Sequence, residues 1–302
     1  MDQKFIEELQ GIVGGKNIRQ MEPMSKHTTF RVGGPADVMV WPNGEALSQV
    51  IRLCTQRGEP YYIVGNGSNL LVGDGGIRGV VIEMGKGQDT LCVEENQIVA
   101  GAGTLLSKAA NLAAEHGLSG MEFAAGIPGT IGGAVVMNAG AYGGEMKDVI
   151  EHVTVLQPNG EELTLAAAEL ELGYRRSCII ERGYIVTQAV LKLVPGDKSE
   201  ILNYMKELRE QRTTKQPLEY PSAGSTFKRP EGYYAGKLIQ DAGLRGYRVG
   251  GAQVSEKHCG FVINLGQATA ADIRKLIGDV QAEVEKQFQV RLEPEVKMVG
   301  EF

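Results

Sequence analysis

The chain has 302 residues, with 31 lysines and arginines against 37 aspartates and glutamates, for a formal net charge of -6. That length permits two or three domains, each burying its own core without disulfides or metal, while the mildly acidic balance and the lack of a basic run interleaved with aromatics argue against a nucleic-acid partner. Cys54, Cys92, Cys178 and Cys259 stand far apart with no Cys-x-x-Cys pair, which fits small buried side chains in a reducing compartment and argues against zinc or an iron–sulfur cluster.

Phe5, Ile6, Leu9, Ile12 and Val13 recur at helical spacing and stop at Gly14 and Gly15, predicting an N-terminal helix within residues 1–15. Charges interrupt its apolar residues, unlike a signal peptide, and no later stretch approaches a membrane span, so the chain is expected in the cytoplasm. From Thr28 come short apolar runs, FRVGG (30–34), ADVMVWP (36–42), YYIVG (61–65), VVIEM (80–84) and LCVEENQIVAG (91–101), with a helical stretch over 45–57 among them. Strands with an interposed helix indicate mixed α/β packing. Leu105, Leu106, Ala109, Leu112 and Ala113 then make one helical face closed by His116 and Gly117, so His116 reads as a helix-end residue rather than a catalyst.

VTVLQPNGEELTL (153–165) is a hairpin around Pro158, Asn159 and Gly160, and YIVTQAVLKLV (184–194) is a further strand. A polar segment, 195–199, leads to a helix with Ile201, Tyr204, Met205 and Leu208 on one face, and the irregular stretch 215–233 follows as the candidate domain junction. A last helix opens on the capping-box spacing Thr269-x-x-Asp272 and carries Ile273, Leu276, Ile277, Val280, Val284 and Phe288 between CGFVINL (259–265) and PEVKMVG (294–300). This reads as a smaller α+β domain.

Glycine is in excess, at 41 of 302 residues, roughly twice the usual share. One cluster, Gly65, Asn66, Gly67, Ser68 and Asn69, directly follows the strand YYIV; there glycines at positive φ let successive N–H groups converge on a pyrophosphate, and Ser68 and Asn69 add side-chain donors. Its bland alternative is a tight turn between strands. Neither this loop nor GAGTLL (101–106) supplies the third glycine of GxGxxG, so a nicotinamide-binding Rossmann domain is not supported. The second cluster, AAGIPGTIGGAVVMNAGAYGGE (124–145), holds Gly126, Gly129, Gly132, Gly133, Gly140, Gly143 and Gly144, a density that no ordinary helix or strand tolerates. Its other residues include Ala124, Ala125, Thr130, Ala134, Ala139 and Ala141, so backbone must face whatever lies there. A flat, extended, anionic ligand such as a flavin nucleotide fits; a close crossing of elements is the alternative for single glycines such as Gly143 and Gly144.

HTTFRVGGPADVMV (27–40), VGNGSNLLVGDGGIRG (64–79), GMEFAAGIPGTIGGAVVMNAGAYGGE (120–145), GYRRS (173–177), SAGSTFKRP (222–230), AGKLIQDAGLRG (235–246) and LEPEVK (292–297) together resemble the UDP-N-acetylenolpyruvoylglucosamine reductase family, over nearly the whole chain and in the family's order. The resemblance implies reduction of UDP-N-acetylglucosamine-enolpyruvate to UDP-N-acetylmuramate with non-covalent FAD and with NADPH, a step of peptidoglycan precursor synthesis. It implies an α+β (mixed α/β) fold, with an FAD-binding domain of the vanillyl-alcohol-oxidase type over 16–195 and a substrate-binding domain over 196–302. The first would divide into subdomains of about 16–84 and 85–195, to which the chain end can add a strand. Cofactor contacts are then expected from Gly65, Asn66, Gly67, Ser68, Asn69, Gly126, Gly129, Thr130, Gly132, Gly133, Ala134, Asn138 and Ala139. Some members carry a tyrosine-bearing loop between the GYR and GS motifs; the short span from Arg175 to Ser225 resembles the type without it.

Reducing an enolpyruvyl ether needs hydride at one vinyl carbon, stabilisation of the resulting carboxylate enolate, and a proton at the other carbon. Under the resemblance Arg175 stabilises the enolate, since its planar fork can hold a carboxylate while charge builds; Arg176 is the neighbouring competitor. Ser225 becomes the proton donor, with Lys228 and Arg229 near in sequence to assist, although by its residues alone it reads as a turn hydroxyl after Gly224. Glu295 positions Arg175 or polarises the substrate, its alternative being one more solvated glutamate like Glu293. Tyr142 is assigned to the flavin or substrate, Lys228, Arg229, Lys237 and Gln253 to substrate, and His258 is left open. No GxSxG elbow and no HExxH pair occurs, so hydrolase and metalloenzyme readings lack their parts and no metal is expected. A flavin oxidase of the same fold and a non-catalytic nucleotide-binding module are the competing functions, and a monomer or weak dimer is the expected state.

Overall fold

In the computed structural model, which describes residues 1–302, the N-terminal helix spans Gln3–Val13; the Asp2 carboxylate accepts from the Phe5 N–H at 2.7 Å and Gly14 ends the helix at φ 79°. Phe5, Leu9 and Val13 form its buried stripe, the spacing that amphipathic packing requires. The chain divides into two compact units: residues 1–20, 38–66 and 79–211, and residues 21–37, 67–78 and 212–302.

The first unit holds an antiparallel five-stranded sheet in the order Glu162–Ala166, Ile150–Leu156, Ile185–Lys192, Gln97–Gly101 and Leu91–Glu94. The hairpin expected around Asn159 is present, with Leu156 opposite Glu162. Tyr61–Val64 runs parallel to Ile77–Glu83, with Tyr61 opposite Val80 and Val64 opposite Glu83; Val80, Val81 and Ile82 are all buried, as a strand covered on both faces demands. Helix Leu106–Glu115 buries Ala109, Ala110, Ala113 and Ala114, and His116 is its C-cap, meeting the Leu112 carbonyl through Nδ1 at 2.9 Å.

The second unit is built on an antiparallel sheet in the order Ser222–Ser225, Phe261–Asn264, Ala252–Val254 and Arg248–Val249. Helix Ala270–Phe288 covers it and buries Ile273, Leu276, Ile277, Val280 and Val284. Its capping box forms as the spacing predicted, Thr269 accepting from the Asp272 N–H and Asp272 from the Thr269 N–H, each at 3.0 Å. Asp74 accepts the next two N–H groups, of Ala270 and Ala271, at 2.8 and 2.9 Å. Leu70–Val72 and Lys297–Val299 pair in parallel. Each unit has its own apolar cluster.

Three local expectations change. Residues 30–34 are irregular rather than a strand, because Arg31 sits at φ 57° and Gly33 at φ 125°, and the Thr28 hydroxyl closes the turn on the Val32 carbonyl at 2.9 Å. On helix Lys198–Lys215 Tyr204 is 45 % exposed while Ile201, Met205 and Leu208 are buried, so the apolar stripe is narrower than four residues suggested. The second glycine run contains a helix after all, Ile131–Met137, followed by a hairpin of Gly140–Ala141 with Gly144–Glu145. No helix is long and apolar enough to cross a membrane.

Candidate active site

Gly65 and Asn66 lie against the second glycine run. A side chain at Gly65 would collide with the Thr130 hydroxyl, and Asn66 Nδ2 donates to the Pro128 carbonyl at 2.7 Å. Thr130 caps the short helix, accepting from the Gly133 N–H at 3.4 Å, while the Ile131 and Gly132 N–H groups donate to the carbonyls of Thr104 and Ala102 at 2.8 and 2.9 Å. Ala134 is buried at 3 % exposure and Ala139 donates its N–H to the Ala134 carbonyl at 2.9 Å. Gly126 and Gly133 are exposed, which leaves backbone at the surface of this run.

The motif GYRRS attaches to the same run. Ser177 donates to the Val136 carbonyl at 2.8 Å, and Asn138 Nδ2 donates both to the Gly173 carbonyl at 3.0 Å and to the Glu145 carboxylate at 2.8 Å. Gly173 and Arg176 exchange backbone hydrogen bonds at 3.0 and 3.2 Å, so Tyr174 and Arg175 form a tight turn, with Arg175 at φ 55°. The Arg175 guanidinium packs over the Tyr174 ring, 5.0 Å from its centroid, and reaches the Gly140 carbonyl at 3.4 Å. Arg176 instead pairs with Glu181 at the surface, at 3.2 and 3.3 Å. Tyr142 occupies a type I′ hairpin turn with Gly143, at φ 52° and 89°. A bulky residue held in the left-handed region is strained, and strain of this kind marks functional turns.

In the second unit Ser225 and Glu295 become neighbours although widely separated in sequence. Thr226 donates to the Gly260 carbonyl and its own carbonyl accepts from the Glu295 N–H, both at 2.8 Å; Phe227 faces Pro294, and Lys228 donates its N–H to the Glu293 carbonyl at 2.8 Å. Gly224, at φ 75°, sits in the register shift between the Ser222–Ile263 and Ser225–Phe261 pairs, and Ser225 is exposed at the end of its strand. Asn69 holds the other strand, donating through Nδ2 to the Glu295 carbonyl at 3.1 Å and accepting from the Lys297 N–H at 2.9 Å. The ammonium of Lys228 pairs with Glu293 and that of Lys237 with Asp241. The Arg229 guanidinium stacks on Tyr234, 4.1 Å from the ring centroid, and buried Gln253 donates to the Gly246 carbonyl at 3.1 Å. His258 accepts the Gly260 N–H on Nδ1 at 3.1 Å, and burial lowers its pKa. A separate cleft of about 550 Å³ lined by Asn17, Trp41, Asn43, Glu83, Lys86 and Gly87 contains none of the residues singled out from the sequence.

A family model described as an FAD binding domain matches residues 35–166, and one described as the C-terminal domain of UDP-N-acetylenolpyruvoylglucosamine reductase matches residues 216–299. The UDP-N-acetylenolpyruvoylglucosamine reductase of Agathobacter rectalis is 57 % identical over 100 % of both chains, and that of Lachnoclostridium phytofermentans 53 % identical over 100 % of this chain and 99 % of its own. The chain belongs to the UDP-N-acetylenolpyruvoylglucosamine reductase family. A crystal structure of the Thermus caldophilus UDP-N-acetylenolpyruvylglucosamine reductase, 39 % identical, superposes with a TM-score of 0.81 over 93 % of this chain and 99 % of that one. An alkyldihydroxyacetonephosphate synthase, 14 % identical with a TM-score of 0.51 over 98 % of this chain, shares the fold alone. A member of the reductase family thus pairs an FAD-binding domain of the vanillyl-alcohol-oxidase type with a family-specific C-terminal domain.

The residues fit FAD. At Gly67, buried at φ 60°, any side chain would strike the His27 carbonyl, so only backbone can face a ligand there. The N–H groups of Asn66, Gly67 and Ser68 have no acceptor within the protein, and that of Gly67 is buried, a state in which an N–H is rarely left without a ligand to receive it. The segment 27–29, which abuts Gly67, was part of the motif HTTF but drew no role from the sequence; its signal is the tertiary contact, not its residue types. Asn138, by contrast, is fully buried with both amide hydrogens committed inside the protein.

Proposed function

We propose that the chain reduces UDP-N-acetylglucosamine-enolpyruvate to UDP-N-acetylmuramate, a cytoplasmic step of peptidoglycan precursor synthesis. Bound FAD, reduced by NADPH, supplies the hydride. The observation that carries the reading is the attachment of Arg175 to the second glycine run through Gly140, together with the bond from the Glu295 N–H to the carbonyl of Thr226, the residue after Ser225.

Cofactor holding falls to Gly65, Asn66, Gly67, Ser68, Asn69, Gly126, Gly129, Thr130, Gly132, Gly133, Ala134 and Ala139, with Asn138 supporting them from inside. Arg175 holds the substrate carboxylate by its planar fork and meets the charge that builds there in the enolate. Ser225 gives its hydroxyl proton to the neighbouring carbon, and the exposure of that hydroxyl lets solvent restore it. Glu295 polarises the substrate and helps to stabilise its enolate. Tyr142 borders the reacting group, while Lys228, Arg229, Lys237 and Gln253 serve the uridine diphosphate part, the cations by charge and Gln253 by shaping the loop at Gly246.

Anaerobic stopped flow on Ser225→Ala tests the assignment. Bleaching of the flavin by NADPH is expected at the parent rate, and reoxidation by the enolpyruvyl substrate about 10²- to 10⁴-fold slower, the usual worth of a positioned acid. Reoxidation at the parent rate would remove Ser225 from the mechanism.

A further inference from the structure

Two buried side-chain polar atoms in the chain have no hydrogen-bond partner, Thr29 Oγ1 and Gln216 Oε1. Thr29 stands beside the first glycine loop, donating its N–H to the Gly67 carbonyl at 3.2 Å. Its neighbour Thr28 spends its hydroxyl on the Val32 carbonyl at 2.9 Å, so the segment can satisfy a threonine internally and does so at one position only. The contact is tight: a Cβ on Gly67 would lie 3.0 Å from Thr28 Cα, beyond its collision with the His27 carbonyl. A hydroxyl buried without a partner costs on the order of 1–3 kcal/mol. On the loop that Thr29 bonds through its backbone, the Gly67 and Ser68 N–H groups also have no acceptor in the protein. Unpartnered donors on one short loop and on the segment bonded to it suit an anionic acceptor such as a phosphate oxygen.

We propose that Thr29 is a further cofactor-holding residue, its hydroxyl donating to a diphosphate oxygen of FAD. The inference rests on the 65–69 loop being the diphosphate cradle. A hydrogen bond from a neutral hydroxyl to an anionic oxygen is stronger than a neutral pair, and its loss should weaken binding by roughly one to two orders of magnitude.

Two substitutions separate donation from packing. Thr29→Val keeps the branched shape and removes the hydroxyl; Thr29→Ser keeps the hydroxyl and removes a methyl. FAD-loaded protein is diluted and the fluorescence of released FAD gives the dissociation constant. Thr29→Val should raise it about 10- to 100-fold, and Thr29→Ser should stay within about threefold of the parent. An unchanged constant in Thr29→Val, or a larger loss in Thr29→Ser than in Thr29→Val, overturns the inference. Asn66→Ala, which releases the tether to the Pro128 carbonyl, is measured alongside. If it weakens FAD while Thr29→Val does not, the cradle stands and Thr29 has no part in it; if neither variant changes affinity, the cradle reading fails with it.

Discussion

Asn138 is fully buried at φ 44°, where it caps helix Ile131–Met137, donates to Glu145 and Gly173, and accepts the Lys147 N–H at 2.9 Å. Asparagine tolerates the left-handed region better than other side chains, and its amide can serve two acceptors and one donor together. Its place inside a glycine run suggested cofactor contact, because the partner that uses it, Gly173, is 35 positions away and invisible to local pattern. Asn138→Ala leaves a carboxylate, a carbonyl and an N–H short of partners and places alanine at positive φ. A loss of about 2–4 kcal/mol in urea unfolding is expected, together with a fall in kcat for substrate reduction, since the turn carrying Arg175 hangs from this amide. Unchanged stability would mean that water replaces all three bonds.

The helix Ile131–Met137 forms despite Gly132 and Gly133, each of which costs about 1 kcal/mol against alanine in a helix interior. Tertiary bonds from Ile131 and Gly132 to Thr104 and Ala102 offset that cost, and these contacts, not propensity, decide the element. The elements written in periodicity or turn chemistry, such as the capped helix Ala270–Phe288 and the Asn159 hairpin, were legible in the sequence for the same reason that this helix was not. The two glycines differ in what surrounds them. A methyl at Gly132 would meet Ala102 Cβ at 2.9 Å and its carbonyl at 3.2 Å, whereas at exposed Gly133 the nearest atom is Thr130 Oγ1 at 3.6 Å, an ordinary contact. Gly132→Ala should therefore destabilise the FAD-free protein, and Gly133→Ala should stabilise it by about 0.5–1 kcal/mol. Gly133→Ala should nonetheless bind FAD more weakly, since the proposed cradle sets the backbone of that position against the cofactor. Thermal midpoints without FAD and dissociation constants with it give both readings; tighter FAD binding by Gly133→Ala would remove Gly133 from the cradle.

Each unit is assembled from three stretches of chain, and the pairs that join them are long-range: Leu70–Val72 with Lys297–Val299, Asn264 Nδ2 with the Phe30 carbonyl at 2.9 Å, and Asp74 with the start of helix Ala270–Phe288. No local signal announces such pairs, so the interleaving was not readable even where individual strands were. In the same way Ser225 and Glu295 could be named from their motifs, but their adjacency rests on hydrogen bonds across the chain. The stability of the second unit also carries a pH dependence. His258 is packed edge-on against Phe261, with ring centroids 5.0 Å apart, near Gly236, and its Nδ1 is taken by the Gly260 N–H. Burial lowers its pKa below the ordinary 6.5, so in the window between the two values the unfolded chain binds more protons than the folded one and stability rises with pH. That contribution is complete above about pH 6.5 and is lost as pH falls toward the folded value. Asp272 and Asp279 have lowered pKa values, the first chiefly through the Thr269 N–H and the second through Lys275, and theirs is lost only in more acid solution. Urea midpoints of the parent and of His258→Gln, followed from pH 7.5 to 5 at saturating FAD, should diverge: the parent loses stability across this range faster than the variant, which has no imidazole to charge. Parallel profiles would mean that His258 takes up its proton without leaving its place between Gly236 and Phe261.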